Sequence, residues 1–176
     1  MKKKAVLIVI LSSVVVLVIF CSIYNVVQKQ KYTDKYNNAF IALFVTERNA
    51  VYSLYEAINT AIETPDQEHY DIALNFATEA ERICGQIYGD LSDDVATYGA
   101  GLVYYATFYR DIKSAINSNC DVDMLEHIHE LLGEILLLYD AHSNPVETTG
   151  KIEAITQFYE SLSLLNDDMM NLLNYN

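Results

Sequence analysis

The chain has 176 residues, with 11 Lys and Arg, 24 Asp and Glu, and a net charge of -13. That length fits one compact domain, or one domain plus an anchor, and 52% hydrophobic residues are too many for a disordered chain. Six glycines and two prolines disfavour a sandwich, a barrel or a collagen-like chain, three cysteines are too few for a disulfide scaffold, and the acidic balance argues against nucleic acid.

Residues 1–24 read MKKKAVLIVILSSVVVLVIFCSIY. Three lysines precede an uncharged run of 20 residues, Ala5 to Tyr24, of which fourteen are Leu, Ile, Val or Phe. A helix of that length covers about 30 Å, the thickness of a bilayer core. Each such side chain favours insertion by about 0.3–0.6 kcal/mol, and only Ser12, Ser13 and Ser22 oppose it. A cleaved signal peptide wants a shorter apolar core and small residues before the cut, and neither is present. A lipidated Cys21 wants a small residue before it and finds Phe20. The expectation is an uncleaved signal anchor in the lipid bilayer over residues 5–24. With Lys2, Lys3 and Lys4 retained on the cytoplasmic side, the C-terminal domain is expected to be exported from a single-pass position in the cell membrane. All 24 acids follow the anchor, so the remainder carries a net charge of -16.

Residues 25–38 (NVVQKQKYTDKYNN) are polar and lack an apolar stripe; they read as a juxtamembrane stalk, helical and continuous with the anchor. From residue 39 to 176 the pattern is helical throughout. Helix one is expected over Ala39–Glu63, with Phe40, Phe44, Val51, Tyr55, Ile58 and Ile62 on one face. In TPDQ, Thr64 reads as an N-cap, Pro65 as the first helical residue and Gln67 as the partner in a capping box. Helix two runs to about Gly89, with Ile72, Phe76, Ala80, Ile83 and Ile87 as its stripe. LSDD restarts the chain, with Ser92 or Asp94 as cap. Helix three carries Val95, Tyr98, Leu102, Tyr105, Tyr109, Ile112 and Ile116, a heptad stripe of the coiled-coil kind. Helix four follows NSNCDVD with Val122, Leu125, Ile128, Leu132, Ile135 and Tyr139. Asn144, Pro145 and Glu147 suggest a cap for helix five, which shows Ile152, Ile155, Leu162, Leu165, Met169 and Leu172.

Stripes joined by short turns bury their faces only against one another. The expected fold is therefore all-α: an N-terminal transmembrane helix followed by an up-and-down bundle of four to five helices. In that topology Cys84 and Cys120 stand at opposite ends of a helix, about 30 Å apart, whereas a disulfide needs Cα atoms within about 7 Å. Cys84 is expected in the core and Cys120 as a loop thiol.

Candidate chemistry is sparse. Glu126 and His129 form Glu-x-x-His, the unit that di-iron bundles use twice, but no second copy exists. They are weak metal candidates; the plainer reading is a solvated acidic face with Glu130 and Glu134. Asp121 and Asp123 resemble the start of a calcium loop, yet the required glycine and closing glutamate do not follow, and capping of helix four accounts for them. Tyr104, Tyr105, Gly99 and Gly101 are weak binding candidates, because tyrosine suits interfaces and two glycines inside a helix each cost about 1 kcal/mol. No catalytic motif, phosphate loop or cofactor signature is present, so neither an enzyme nor a cofactor is expected.

One anchor feeding a helical bundle resembles the layout of the sensing part of bacterial transmembrane receptors, which re-enter the membrane after the bundle; no second apolar span follows here. The four-residue tail before the span leaves no room for a cytoplasmic output domain. The first functional expectation is an interaction or scaffold module for another exported or membrane protein, and an exposed apolar patch would favour it. The second is a ligand- or metal-binding accessory domain, favoured by a pocket lined with the Tyr and Gly residues of helix three. The sequence is silent on oligomeric state.

Overall fold

The computed structural model describes residues 2–91, 99–118, 120–149 and 152–172, with some side chains omitted within them. The described residues are helical, without a strand: α1 (Lys2–Glu63), α2 (Gln67–Leu91), α3 (Gly99–Asn117), α4 (Val122–Thr149), α5 (Ile152–Leu162) and α6 (Asn166–Met170), with a 3-10 turn over Ser163–Leu165. By contacts the chain forms two units, 1–39 and 40–176.

The first unit is the N-terminal part of α1, and its described side chains, including Leu17, Phe20 and Ile23, are exposed apart from the half-buried Gln28. Among the described residues no helix is long and apolar enough to cross a membrane. Of the expected span, residues 5–14 and 16 lie outside those with described side chains.

The second unit is a helical bundle. α1 and α4 run antiparallel within it: Arg48 meets Asp140 while Tyr55, two turns on, meets His129. α2 packs on α3, α4 on α5, and α3 on both α5 and α6. The core takes Phe44, Val51, Leu54 and Ile58 from α1, and Ile83, Cys84 and Ile87 from α2. Tyr105, Phe108, Tyr109 and Ile112 come from α3, and Leu125, Ile128, Leu132, Ile135 and Tyr139 from α4. Ile155, Phe158, Tyr159 and Leu162 close it from α5, with Met169 and Leu172 beyond. A buried side chain of this kind contributes about 1.5–3 kcal/mol, so the thirty-odd core residues offset a large share of the chain entropy.

Several expectations shift. The cap of α2 is Asp66 rather than Thr64. Asp66 Oδ1 accepts from the His69 N–H at 3.0 Å and from the His69 ring at 2.8 Å, while Gln67 turns forward to Asp71 instead of closing a capping box. A carboxylate at that position satisfies an orphan N–H and faces the positive end of the helix, an advantage the Thr64 hydroxyl lacks. In the first half of α2 the core face is one residue further on, while Ala80, Ile83 and Ile87 are buried as the stripe implied. Ala73 and Ala77 are fully buried, whereas Ile72 and Phe76 keep 40% and 36% of their surface. Alanines let the helix axes approach, and Ala57 and Ala61 of α1 are buried as well. α4 continues through Pro145 to Thr149, so Asn144 does not begin a new helix. Proline there forfeits one backbone hydrogen bond and the helix still persists. Asp121 caps α4 through the Met124 N–H at 3.0 Å. The expected caps Ser92 and Asp94 lie outside the described residues, as do Val95 and Tyr98.

Cys21, Cys84 and Cys120 form no disulfide. Cys84 is in the core and Cys120 is half-buried beside the α3–α4 turn.

Candidate functional site

The middle of the bundle holds a carboxyl group. On α1 the buried positions Phe44, Val51, Leu54, Ile58 and Ala61 follow alternating three- and four-residue steps once position 47 is included. That position is Glu47, the one fully buried charged residue among those described. The gap between Phe44 and Val51 in the apolar stripe was the signal for it; read as a stripe of apolar letters, the sequence passes over it.

Glu47 is enclosed from four other helices. The Tyr159 hydroxyl of α5 donates to Glu47 Oε2 at 2.8 Å. The Tyr139 hydroxyl of α4 and the Cys84 thiol of α2 stand near enough to favour the carboxylate, yet Oε1 itself has no hydrogen-bond partner. From α3, Tyr105 sets its hydroxyl 3.5 Å from that of Tyr139, and the Tyr109 hydroxyl is buried without a partner. Aromatic rings seal the cluster. Phe44 lies 5.1 Å from both Tyr139 and Phe158, Tyr139 lies 4.1 Å from Phe158, and Tyr105 lies 4.7 Å from Tyr109.

Burial dominates the electrostatics. It pushes the Glu47 carboxyl up to about 7, against the smaller opposing pull of Tyr139, Tyr159 and Cys84, and no cation contributes. The same burial, reinforced by the negative charge that Glu47 can carry, raises the Cys84 thiol and the hydroxyls of Tyr105, Tyr139 and Tyr159 well above their usual ranges. Tyr109 is raised too, by burial first. These groups therefore stay neutral near pH 7, and Glu47 alone within the cluster exchanges a proton there.

The bundle surface offers two adjoining grooves. Arg48, Asn49, Tyr52, Tyr55, Gly133, Leu136, Leu137 and Asp140 line one of about 390 Å³ between α1 and α4. A shallower one of about 280 Å³, between α1 and α2, shares Tyr52 and adds Glu56, Ile72 and Phe76. Tyr52 and Leu137 are exposed to 57% and 70%. Residues 40–176 hold five basic and 23 acidic residues, a net of -18. Each described cation among them already meets a carboxylate of the same chain: Arg48 with Asp140, Arg82 with Glu79, and Arg110 and Lys113 with Glu81.

Of the residues singled out from sequence, Tyr105 belongs to the buried cluster and not to the surface. The side chains of Tyr104, Gly99 and Gly101 lie outside the described residues. Glu126 is exposed, and His129 stacks on Tyr55 with ring centroids 3.9 Å apart, its Nε2 unpartnered. Burial holds the His129 imidazole below its usual range, with Glu56 and Glu130 opposing. Among the described residues no group of three or more His, Cys, Asp or Glu is placed to hold a metal ion.

The class these features define is an acidic helical bundle built around an aromatic-enclosed carboxyl. Comparison with known proteins finds no family model, no curated protein and no solved structure that is significantly similar to this chain.

Proposed function

We propose that this chain is a membrane-anchored interaction module whose exported bundle holds a cationic, apolar-faced segment of another exported or membrane protein. The observation that carries the reading is the pair of grooves joined at Tyr52, with Leu137, Ile72 and Phe76 exposed beside them on a strongly acidic bundle. An amphipathic helix lays its apolar face into such a groove and meets the rim with its charges. The rim supplies Glu56, and the surrounding charge of -18 favours a basic partner, because the described cations of the bundle are already paired. The anchor rests on the apolar run of residues 5–24 and its lysine cap. Exposed Leu17, Val18, Ile19, Phe20 and Ile23 suit a lipid surround.

A photo-crosslinking amino acid at position 137 or 52, in intact cells, tests the partner. The reading expects an adduct that maps to a basic amphipathic segment, and none from position 160 or 123. An adduct on an acidic segment, or equal labelling from all four positions, refutes it. A membrane-impermeant maleimide tests the placement: Cys120 is expected to react in intact cells, with Cys120→Ser as control. Labelling only after lysis would put the bundle in the cytoplasm.

A further inference from the structure

We propose that the Glu47 centre is a proton-operated latch, in which the protonated carboxyl holds α5 onto the bundle and loss of the proton releases it.

The argument begins with what surrounds the group. On its own helix the nearest charge, Arg48, is taken by Asp140. α2 presents the Cys84 thiol, with Glu81 behind it engaged by Lys113 and Arg110. α3 presents Tyr105 and Tyr109, α4 presents Tyr139 and α5 presents Tyr159. None of these is a cation. An ionised Glu47 therefore has hydroxyls and a thiol for company, with Tyr159 the one hydroxyl that donates in good geometry. A buried charge without a counter-ion is costly, and the structure can shed that cost by letting water in.

The cheapest wall to move is α5. It is 11 residues long, the shortest of the helices that enclose the carboxyl. Helices of that length are marginal unless packed. Its docking depends on Ile155, Phe158, Tyr159 and Leu162: Tyr159 meets Glu47 through its hydroxyl, and Phe158 packs on Phe44 and on Tyr139, which also faces the carboxyl. Undocking α5 therefore hydrates the carboxyl while α1 to α4 stay packed. The proton leaves to solvent and nothing else changes covalently.

The linkage sets the size of the effect. The closed-state carboxyl sits at about 7 and ordinary exposed glutamate at 4.5. Opening then becomes about 70-fold more favourable between pH 5 and pH 8, with about ten-fold of that between pH 6 and pH 8. The test is hydrogen exchange of the full-length chain in non-ionic detergent, corrected for intrinsic rates and read on peptides from residues 152–172 and 100–117. The wild type is expected to lose protection in 152–172 by about 70-fold from pH 5 to pH 8, with 100–117 unchanged. Glu47→Gln is expected to be flat to within about three-fold. If that variant does not fold, Tyr159→Phe serves instead: without its donor, the protection loss continues to higher pH than in the wild type. Flat wild-type protection, an equal loss in both peptides, or an undiminished loss in Glu47→Gln overturns the latch.

Discussion

The bond between Tyr159 and Glu47 has a strength that depends on pH, and a double-mutant cycle measures it. Below pH 5 the carboxyl is neutral, and a neutral hydrogen bond contributes about 1 kcal/mol. At pH 8.5, well above the carboxyl's value of about 7, the hydroxyl donates to a carboxylate at 2.8 Å, and such charge-assisted bonds contribute about 2–3 kcal/mol, which offsets only part of the cost of burying the charge and so leaves release of α5 favoured on ionisation. The cycle compares wild type, Glu47→Leu, Tyr159→Phe and the double variant by urea unfolding at both pH values. A coupling energy of about 1 kcal/mol at pH 5 is expected to rise to about 2–3 kcal/mol at pH 8.5. The single Glu47→Leu variant carries a second signal. A carboxyl whose folded value is raised stabilises the fold fully below the unfolded value of 4.5, and that contribution is lost as pH rises through about 7. Wild type therefore loses about 2.5 kcal/mol relative to Glu47→Leu between pH 5 and pH 8.5. Coupling that is the same at both pH values, or a wild-type curve parallel to that of Glu47→Leu, would refute the assignment of Glu47 as a buried titrating group.

Two further outcomes test the fold. Asp66→Ala is expected to cost about 1 kcal/mol in thermal unfolding, whereas Thr64→Ala leaves stability within about 0.5 kcal/mol; the reverse order would restore the capping box. Phe158→Ala, in the sealed core, is expected to cost about 3–5 kcal/mol, while Leu137→Ser, exposed to 70%, changes stability by less than about 0.5 kcal/mol; similar losses in both would contradict the placement of α4 and α5.

How much of this was legible depended on which signal a residue carried. Helix order and most of the core followed from spacing, since Ile83, Ile87, Tyr105, Ile112, Leu132 and Tyr139 fall on single clean stripes. α2 misled at its start, because a period of 3.6 leaves adjacent positions 100° apart and the bulkier pair, Ile72 and Phe76, outweighed Ala73 and Ala77 on hydrophobicity alone. Close helix approach reverses that preference, and it is a property of the neighbouring helix. Phe158 and Tyr159 were hidden in the same way, beside a stripe drawn through Ile155 and Leu162. Glu47 was legible only as an interruption. Its partners come from residues up to 112 positions away, and no local pattern joins them.

The seating of α2 has a further consequence for folding. A helix with alanines on one side and Ile72 and Phe76 on the next offers its neighbours two adhesive sides, related by a rotation of about 100°. Early in collapse, before close packing rewards the alanines, the bulkier side gains more from leaving water. The chain therefore carries a competing arrangement of the same helix, a local frustration that the second half of α2 must resolve. Cys84 does so: it is fully buried on the side of Ala73 and Ala77, and a turned helix would carry it out of the core, whereas Ile83 and Ile87 lie on the side of Ile72 and Phe76 and stay inward in either rotation. Replacing Cys84, rather than Ile83 or Ile87, is what would leave α2 divided between two rotations.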